Sequence, residues 1–213
     1  MRVITYNIHK GMDAKNKPTL LKIGKYLKKQ HCDVICLQEV LYPQFLILKK
    51  QINMKGIFAA NVKKPGMLYG ICIFTKIKEF SSHHFLLTSK KEQRGALCLS
   101  YVTDKGYMNI INTHLGLDKE ERNIQLNEIM DYTKCLVGNK IVCGDFNEKN
   151  INIGPFIDTA ILADYKDQST FWPSNSRIDY VFVDKQLSII NYKVDKIKLS
   201  DHFPLFCEIN KKM

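Results

Sequence analysis

The sequence predicts an α/β or α+β fold in which mixed sheets are flanked by helices, and three features support this prediction. Short apolar runs typical of strands recur along the chain. Segments with the apolar spacing of helices interrupt them. No linker, low-complexity tract or internal repeat divides the 213 residues. Because one hydrophobic core can serve up to roughly 250 residues, we expect a single domain over residues 1–213.

The first half of the chain follows a strand–helix–strand order. Residues 2–6 and 33–37 are predicted strands, and residues 19–30 between them predict a helix with one apolar face. Residues 44–53 predict a second helix of the same kind. This half of the chain therefore contributes both strands and helices to the predicted fold.

The rest of the chain contains the longest predicted helix and most of the predicted strands. Residues 118–136 predict a helix in which Asp118 is the N-cap and Glu120 lies in the first turn. Asp104-Lys105-Gly106 is a turn signal, so we expect a hairpin around it. Further strands are predicted at residues 70–75, 95–102, 107–113, 140–143, 179–183, 188–194 and 204–209.

The chain has a formal net charge of +11, from 32 Lys plus Arg residues and 21 Asp plus Glu residues. A surplus of this size favours polyanionic partners such as nucleic acid, anionic lipid or phosphorylated metabolites. Many lysines occur in scattered pairs such as Lys28-Lys29 and Lys63-Lys64, and these could equally be solvated surface charges. The net charge alone leaves both interpretations open.

The seven cysteines lie singly, mostly inside apolar runs, and none forms a CxxC pair. This pattern is typical of reduced, buried thiols. No apolar run reaches the roughly 18 residues of a membrane span. The chain enters a predicted strand directly after Met1, without the pattern of a signal peptide. We therefore expect a cytoplasmic protein.

Polar side chains lie where several of the predicted strands end. Burying an unpaired carboxylate is costly, so such a group is solvated, paired with a cation or bound to a metal. A set of oxygen donors with one imidazole suits a hard cation such as Mg²⁺. The side chains delivered to strand ends are Asn7, Glu39, Asp145, Asn147, Asp201 and His202.

Seven short motifs, taken together and in order, resemble those of the endonuclease/exonuclease/phosphatase superfamily, in the form found in compact bacterial members. They run from Asn7 to His202 and span almost the whole chain. The motifs are Thr5-Tyr6-Asn7-Ile8-His9-Lys10-Gly11, Leu37-Gln38-Glu39-Val40, Arg94-Gly95, Asn112-Thr113-His114-Leu115, Gly144-Asp145-Phe146-Asn147, Arg177-Ile178-Asp179-Tyr180 and Ser200-Asp201-His202-Phe203-Pro204.

The resemblance implies a four-layer α/β/β/α sandwich of the DNase I-like type, with the active site at the strand ends. It also implies metal-dependent hydrolysis of a phosphoester by in-line attack of water. Mg²⁺ is the expected cation, with Mn²⁺ as a substitute. Glu39 would hold the metal, together with Asn7 and Asp201.

The same resemblance implies roles for the other motif residues. Asp145 would orient or deprotonate the attacking water, and Asn147 would hold Asp145 or the phosphate. Asp179 would bind one nitrogen of His202 and aim the other at the phosphate. Phosphoryl oxygens would be bound by Arg94, His114 and Asn147.

Some residues keep an alternative interpretation. Arg94 could form a structural ion pair, and His9 could contact the metal or substrate or only pack. DNase I-like members have an acid that partners the histidine at the position of His114, but the segment after Pro65 offers none. We therefore expect His114 to be held in another way.

The substrate class stays open at the level of sequence. The positive charge favours a phosphodiester in nucleic acid, and we expect a monomer without a protein partner. The first alternative is a phospholipid, sphingomyelin or inositol-phosphate hydrolase, for which Phe171-Trp172-Pro173 could be either a membrane-inserting hairpin or a wall of the active site. A catalytically silent nucleic-acid-binding module is a more distant alternative.

Overall fold

The computed structural model describes residues 1–211, which form two mixed β-sheets. The strands are β1 (Arg2–Asn7), β2 (Val34–Leu41), β3 (Lys55–Lys64), β4 (Met67–Thr75), β5 (Ser81–Leu87), β6 (Arg94–Thr103), β7 (Gly106–His114), β8 (Asn139–Asp145), β9 (Ile157–Asp158), β10 (Asp179–Val183), β11 (Leu187–Val194) and β12 (Leu205–Lys211).

Each sheet has six strands: β1 to β4 with β11 and β12 form the first, and β5 to β10 form the second. The first sheet has the order β11-β12-β1-β2-β4-β3, and the second has the order β5-β6-β7-β8-β10-β9. The β1–β2 and β7–β8 pairs are parallel, and the other neighbouring strands are antiparallel. The two parallel pairs therefore place the carboxyl ends of four strands at one edge of the sandwich.

Helices cover the outer face of each sheet. They are α1 (Leu20–Lys29), α2 (Tyr42–Ile52) and α3 (Lys119–Lys134), whereas the short α4 (Thr159–Leu162) contributes Ala160 to the apolar cluster between the sheets. Ile23 of α1 and Phe45 of α2 pack on the first sheet, and Ile129 of α3 packs on the second. A third apolar cluster fills the space between the sheets. The four-layer α/β/β/α sandwich expected from the sequence is confirmed.

The predicted elements are found, with differences at the sheet edges. The three predicted helices and the hairpin at Asp104-Lys105 are confirmed, since Thr103 pairs with Gly106 across that turn. The sequence did not predict β3, β5 or β9. The strands β3 and β5 are edge strands with many exposed residues, so they lack the continuous apolar run that identifies a central strand.

The alternation of side chains along the strands explains where the polar residues lie. Val3 faces the space between the sheets, whereas Ile4 faces the helices. Asn7 lies on the same side of β1 as Val3, because side chains alternate with a period of two. Asp145 continues the inward row of Cys143 in the same way. The last inward positions of these strands are therefore polar, and they meet at one edge of the core.

A buried amide network joins the two sheets below that edge. Gln38 of β2 donates through Nε2 to Asn112 Oδ1 of β7 at 2.6 Å. Asn112 Nδ2 donates to the carbonyl oxygens of Leu37 and Cys72, each at 3.0 Å. Both amides are fully buried, so each needs these partners. The network fixes β2 and β4 of the first sheet against β7 of the second.

The state of the cysteines agrees with the expectation of reduced, buried thiols. All seven cysteines are free, and every one except Cys135 is buried. None of the helices within residues 1–211 is long and apolar enough to cross a membrane.

The buried network predicts that Asn112→Ala destabilises the protein. The substitution removes the partner of Gln38 and of two carbonyl groups, so the free energy of unfolding should fall by about 2–4 kcal/mol. Urea denaturation measures this change. The control is Asn127→Ala on the exposed face of α3, which should change it by less than about 1 kcal/mol. Equal small changes in both variants would show that the network does not hold the sheets together.

Candidate active site

The polar residues predicted from the sequence lie together at one edge of the sandwich. Asn7 and Glu39 lie at or near the carboxyl ends of β1 and β2, and His114 and Asp145 end β7 and β8. Antiparallel strands begin at the same edge, so Asp179 pairs with Asp145 in the β8–β10 ladder. The remaining predicted residues at this edge are Arg94, Asn147, Asp201 and His202.

The carboxylate of Asp145 lies at the centre of these contacts. Asn7 donates through Nδ2 to its Oδ2 at 3.0 Å. The Nε2 atoms of His114 and His202 lie 3.5 Å and 3.6 Å from the same oxygen. Gly144 precedes it with a φ of 143°, and a Cβ there would overlap the carbonyl oxygen of Thr113. The glycine therefore allows β8 to approach β7 closely where Asp145 enters the site.

The electrostatic surroundings raise the pKa of Asp145. Burial is the largest cause, and the neighbouring Asp179 carboxylate adds to it. The His202 cation and the hydrogen bond from Asn7 act in the opposite direction. The net result is a pKa raised to about 7. A carboxylate in this state can accept a proton near neutral pH.

Asp179 and His202 form a buried pair beside Asp145. His202 Nδ1 and Asp179 Oδ2 are 2.8 Å apart, and Phe171 packs against the imidazole with a ring separation of 4.8 Å. Burial by itself lowers the pKa of His202, but Asp179 and Asp145 outweigh it and raise the pKa to about 10. His202 is therefore a cation at neutral pH, and its Nε2–H points towards Asp145.

His114 is held in the opposite protonation state. Arg94 donates through Nη1 to His114 Nδ1 at 3.2 Å. Burial, and then the Arg94 charge, lowers the pKa of His114 well below its usual value. Because Nδ1 accepts from a guanidinium, the proton of the neutral ring lies on Nε2 and faces Asp145. The arginine takes the place of the acid that the sequence lacks.

Arg94 keeps free hydrogen-bonding capacity. Its Nη1 also contacts Glu92 Oε1 at 2.5 Å, which is the ion pair considered as an alternative from the sequence. Within residues 1–211 its Nη2 donates to no acceptor, and its buried Nε has no partner. The ion pair therefore uses one side of the guanidinium and leaves the other side available to an anion.

Asn147 supports Asp145 through its backbone. Its N–H donates to Asp145 Oδ1 at 2.9 Å, and its side-chain Nδ2 donates to the Leu115 carbonyl oxygen at 2.9 Å. The φ of Asn147 is 51°, a left-handed conformation that asparagine adopts more readily than most residues. This turn holds one oxygen of Asp145 and leaves the other towards the histidines.

Glu39 lies on the other side of Asn7. Asn7 Nδ2 also donates to Glu39 Oε1 at 3.2 Å, so one amide group contacts two carboxylates. Glu39 lies in a β-bulge where the pairing of β2 with β4 shifts between Leu37 and Val40, and its φ is 55°. A bulge turns a side chain out of the regular alternation, and here it directs Glu39 into the site.

Asp201 and His9 lie beside the end of β1. Ser200 Oγ contacts the Asn7 carbonyl oxygen at 2.8 Å and Asp201 Oδ1 at 3.0 Å. His9 Nδ1 is 3.8 Å from Asp201 Oδ1, and no hydrogen bond reaches this buried nitrogen from residues 1–211. The backbone N–H of His9 donates to Asn7 Oδ1 at 3.0 Å. His9 therefore lies beside two of the predicted metal ligands, Asn7 and Asp201.

The donor set fits a hard divalent cation. Glu39 and Asp145 converge on one neutral amide, and a second oxygen of Asp201 accepts from no donor in the described chain. Carboxylates gathered in this way are stabilised by a cation. Asp145 also belongs to a second cluster, with Asp179 and His202, whose possible ligand atoms lie within 4.8 Å of one another. There His202 Nδ1 pairs with Asp179 Oδ2, whereas the buried Asp179 Oδ1 has no hydrogen-bond partner within residues 1–211.

Two residues at the site were not selected from the sequence. Tyr69 is buried, and burial followed by the Glu39 and Glu92 carboxylates raises its pKa. The ammonium group of Lys10 lies 5.4 Å from the centre of the Tyr69 ring. Lys10 is part of the first motif, and its positive charge next to Asn7 and His9 could have identified it as a site residue from the sequence. Tyr69 follows a polar hairpin, and nothing in its local sequence distinguishes it from a core residue.

Comparison with known proteins identifies the family. Residues 4–202 match the model of the Endonuclease/Exonuclease/phosphatase family. No curated protein matches the sequence significantly. A functionally unknown conserved protein from Enterococcus faecalis V583 has a similar structure, with a TM-score of 0.84 and 20% identity over 100% of both chains.

Two further similar structures are named for an activity or a ligand. A mannosyl-6-phosphatase from Bacteroides thetaiotaomicron VPI-5482 has a TM-score of 0.80 and 18% identity over 99% of both chains. TDP2 from D. rerio, complexed with a single-strand DNA product, has the same TM-score, identity and coverage. At these identities the structures show a shared fold. Because the family model matches most of its length, this chain belongs to the endonuclease/exonuclease/phosphatase family.

Proposed function

We propose that this protein is a metal-dependent phosphodiesterase that hydrolyses its substrate by in-line attack of water, with nucleic acid as the favoured substrate. The observation that supports this most directly is the convergence of Asn7, His114 and His202 on Asp145 Oδ2. A buried carboxylate with a raised pKa between two imidazoles is suited to proton transfer rather than to stabilising a fold.

Three residues of this chain would hold the cation. Glu39 would be the main ligand, with Asn7 and Asp201 beside it, and the cation would be Mg²⁺ or Mn²⁺. When bound, it supplies neutralising charge for a phosphoryl oxygen and for the leaving oxygen. Asn7 also contacts Asp145, so it links the cation site to the proton acceptor.

Asp145 would take the proton of the attacking water. The Asn147 backbone N–H holds Oδ1 at 2.9 Å, which leaves Oδ2 to receive the proton. The positively charged His202, oriented by Asp179, would donate from Nε2 to a phosphoryl oxygen. His114 would donate from Nε2 as a neutral ring, and the free N–H groups of Arg94 would bind the same phosphate.

Two exposed lysines beside the site favour a polyanionic substrate. The Lys10 ammonium lies over Tyr69, and that of Lys198 lies 4.8 Å from the centre of the Trp172 ring. Trp172 Nε1 donates to the Ser200 carbonyl oxygen at 2.9 Å, next to Asp201. Lysines held on aromatic rings at the edge of a site are suited to a phosphate backbone.

The contacts of Phe171 and Trp172 argue against a membrane-inserting hairpin. Phe171 packs on His202, and Trp172 is tied to Ser200. Both residues are part of the wall of the site, which is one of the two roles considered for this segment. A small phosphoester is the second candidate substrate, because one of the similar structures is a mannosyl-6-phosphatase, an enzyme named for a sugar phosphate.

A hydrolysis panel tests the proposed function. The protein is incubated with Mg²⁺ and single-stranded DNA, duplex DNA, RNA, sphingomyelin, inositol phosphates or mannose 6-phosphate, and each reaction is repeated with EDTA. The proposal predicts EDTA-sensitive cleavage of nucleic acid, fastest on single strands. Cleavage of only a lipid or a sugar phosphate would contradict the proposal that nucleic acid is the substrate. No cleavage of any compound would contradict the proposal that the protein is a phosphodiesterase.

Glu39→Ala should abolish most of the Mg²⁺-dependent turnover and leave the fold intact. Removing a metal ligand removes several kcal/mol of transition-state stabilisation, whereas a partly exposed carboxylate contributes little to the core. Hydrolysis of bis(p-nitrophenyl) phosphate and circular dichroism measure the two effects. Glu79→Ala, an exposed control, should leave both unchanged. Near wild-type turnover in Glu39→Ala would show that Glu39 does not hold the metal.

Asp145→Asn keeps the shape of the side chain but removes the proton acceptor. The kcat for the same substrate should fall by roughly 10²–10⁴-fold, the usual effect of losing a general base, with little change in KM. Steady-state kinetics separate the two constants. An effect mainly on KM would make Asp145 a binding residue instead.

Asp179 and His202 should act as one unit. Because Asp179 works through the imidazole, the double variant Asp179→Asn/His202→Ala should be little slower than His202→Ala alone. The kcat values of the two single variants and the double variant form the required cycle. If the fold-decreases in kcat of the two single variants multiply in the double variant, the two residues act independently.

Binding of single-stranded oligonucleotides to Asp145→Asn should weaken steeply with salt. The logarithm of affinity should fall by about 0.7 per logarithmic unit of salt for each phosphate neutralised. Lys10→Met in the same background should reduce that slope by about 0.7. The control Lys15→Met, exposed in the next loop, should not change it. A response that is flat with salt would leave no support for a nucleic-acid substrate.

A further inference from the structure

A cavity of about 240 Å³, lined mainly by charged residues, lies next to the candidate active site. One wall is formed by Lys91, Glu92 and Arg94, which precede or begin β6. The other wall is formed by the connection from β7 into the first turn of α3, including Leu117 and Glu121. Arg94 belongs to both places, since its Nη1 contacts His114 Nδ1 at 3.2 Å. A group bound in the cavity would therefore adjoin the proposed phosphate ligand.

Buried hydrogen bonds fix the two walls relative to each other. Gln125 Nε2 donates to the Thr88 carbonyl oxygen at 2.8 Å and to Glu121 Oε1 at 2.9 Å. Its Oε1 accepts from the Gly116 N–H at 2.8 Å. Gln125 is fully buried, so these bonds are shielded from water. The cavity is thus preformed, as binding pockets for small groups usually are.

The carboxylate of Glu121 is the unusual feature of this cavity. Glu121 is only 3% exposed, and Gly116 has no side chain to keep it away, since a Cβ there would overlap Glu121 Oε1. Within residues 1–211 Gln125 is its only hydrogen-bond donor, and Oε2 has none. Oε2 is not itself fully enclosed, so a donor can reach it from the cavity. A donor from a bound molecule would satisfy it.

The lining indicates what that molecule is. Among residues 1–211, Leu117 is the one apolar side chain on the cavity, and no aromatic ring lines it. An acyl chain would meet five charged side chains, and a nucleobase would lack a stacking partner. Carboxylates with a lysine and an arginine suit groups that both donate and accept hydrogen bonds. The volume lies below the roughly 300–1,000 Å³ of pockets for drug-sized ligands, so a single ring fits better than a larger ligand.

We propose that this cavity binds the hydroxylated part of the substrate, a sugar ring or polyol, with Glu121 accepting hydrogen bonds from its hydroxyl groups. The phosphate ester of that ring would lie on Arg94. This inference rests on the proposed function, and it names the chemistry recognised beside the phosphate. Two sources share that chemistry: the ribose of a ribonucleotide and a free sugar phosphate.

The test compares Glu121→Gln with the matched control Glu120→Gln, which lies one residue earlier and has a largely exposed carboxylate that pairs with Lys90. The probes are the ribodinucleotide UpU, mannose 6-phosphate and bis(p-nitrophenyl) phosphate, which has no hydroxyl groups. For one of the hydroxylated probes, the ratio of its kcat/KM to that for bis(p-nitrophenyl) phosphate should fall roughly 10–100-fold in Glu121→Gln. The ratio should stay constant in Glu120→Gln. The probe whose ratio falls in Glu121→Gln identifies whether the ring is that of a ribonucleotide or of a free sugar phosphate.

A second variant covers the possibility that Glu121→Gln disturbs the buried network. Leu117→Trp places a bulky side chain at the exposed mouth of the cavity and does not touch Gln125. It should lower the same ratio through KM. Equal losses for all three probes in both variants, or no change in the ratio in Leu117→Trp, would overturn the proposal.

Calorimetric titration with mannose 6-phosphate and UpU in EDTA separates this inference from the proposed function. Wild-type protein should bind one of the two more tightly than Glu121→Gln does, whether or not turnover occurs. If binding depends on Glu121 but no probe is hydrolysed, the proposed function is contradicted and the proposed role of the cavity stands. If the probes are hydrolysed but binding is the same in wild type and Glu121→Gln, only the proposed role of the cavity is contradicted.

Discussion

The hydrogen bond from the Asn7 amide to the Asp145 carboxylate is the contact on which the rest of the site depends. It joins the first sheet to the second at 3.0 Å, and the same amide contacts Glu39 at 3.2 Å. Two carboxylates this close would repel each other in a buried setting. The amide separates them, so that Glu39 faces the proposed cation side and Asp145 faces the histidines.

Two buried histidines beside Asp145 take opposite charge states because their partners differ. Asp179 outweighs the effect of burial and keeps His202 protonated, whereas burial and then the Arg94 charge lower the pKa of His114 and keep it neutral. Both rings nevertheless present an N–H at Nε2 to the same place. A phosphate bound there would meet one charged and one neutral donor, in addition to the guanidinium of Arg94. The arrangement suits an anionic substrate and is compatible with the proposed role of Asp145 as the proton acceptor.

Much of this site was predictable from local sequence, because its residues follow apolar strands that end at one edge. Parallel β1–β2 and β7–β8 pairs then bring distant motifs together. The partner of His114 was not predictable, since Arg94 reaches it only through the register that pairs Gly95 with His114. The bulge that aims Glu39 is likewise a property of strand pairing. The polar edge strands β3 and β5 lack a strong pattern, so their existence depends on neighbours rather than on their own residues.

The position of the metal decides whether Asn7 divides the site in this way. A crystal structure of the protein with bound Mn²⁺, phased by the anomalous signal of the metal, would locate the ion. We expect a peak about 2.0–2.2 Å from a Glu39 oxygen, on the side of Asn7 away from His202. A peak coordinated by Asp179 and the His202 ring, without Glu39, would contradict the division of the site by Asn7.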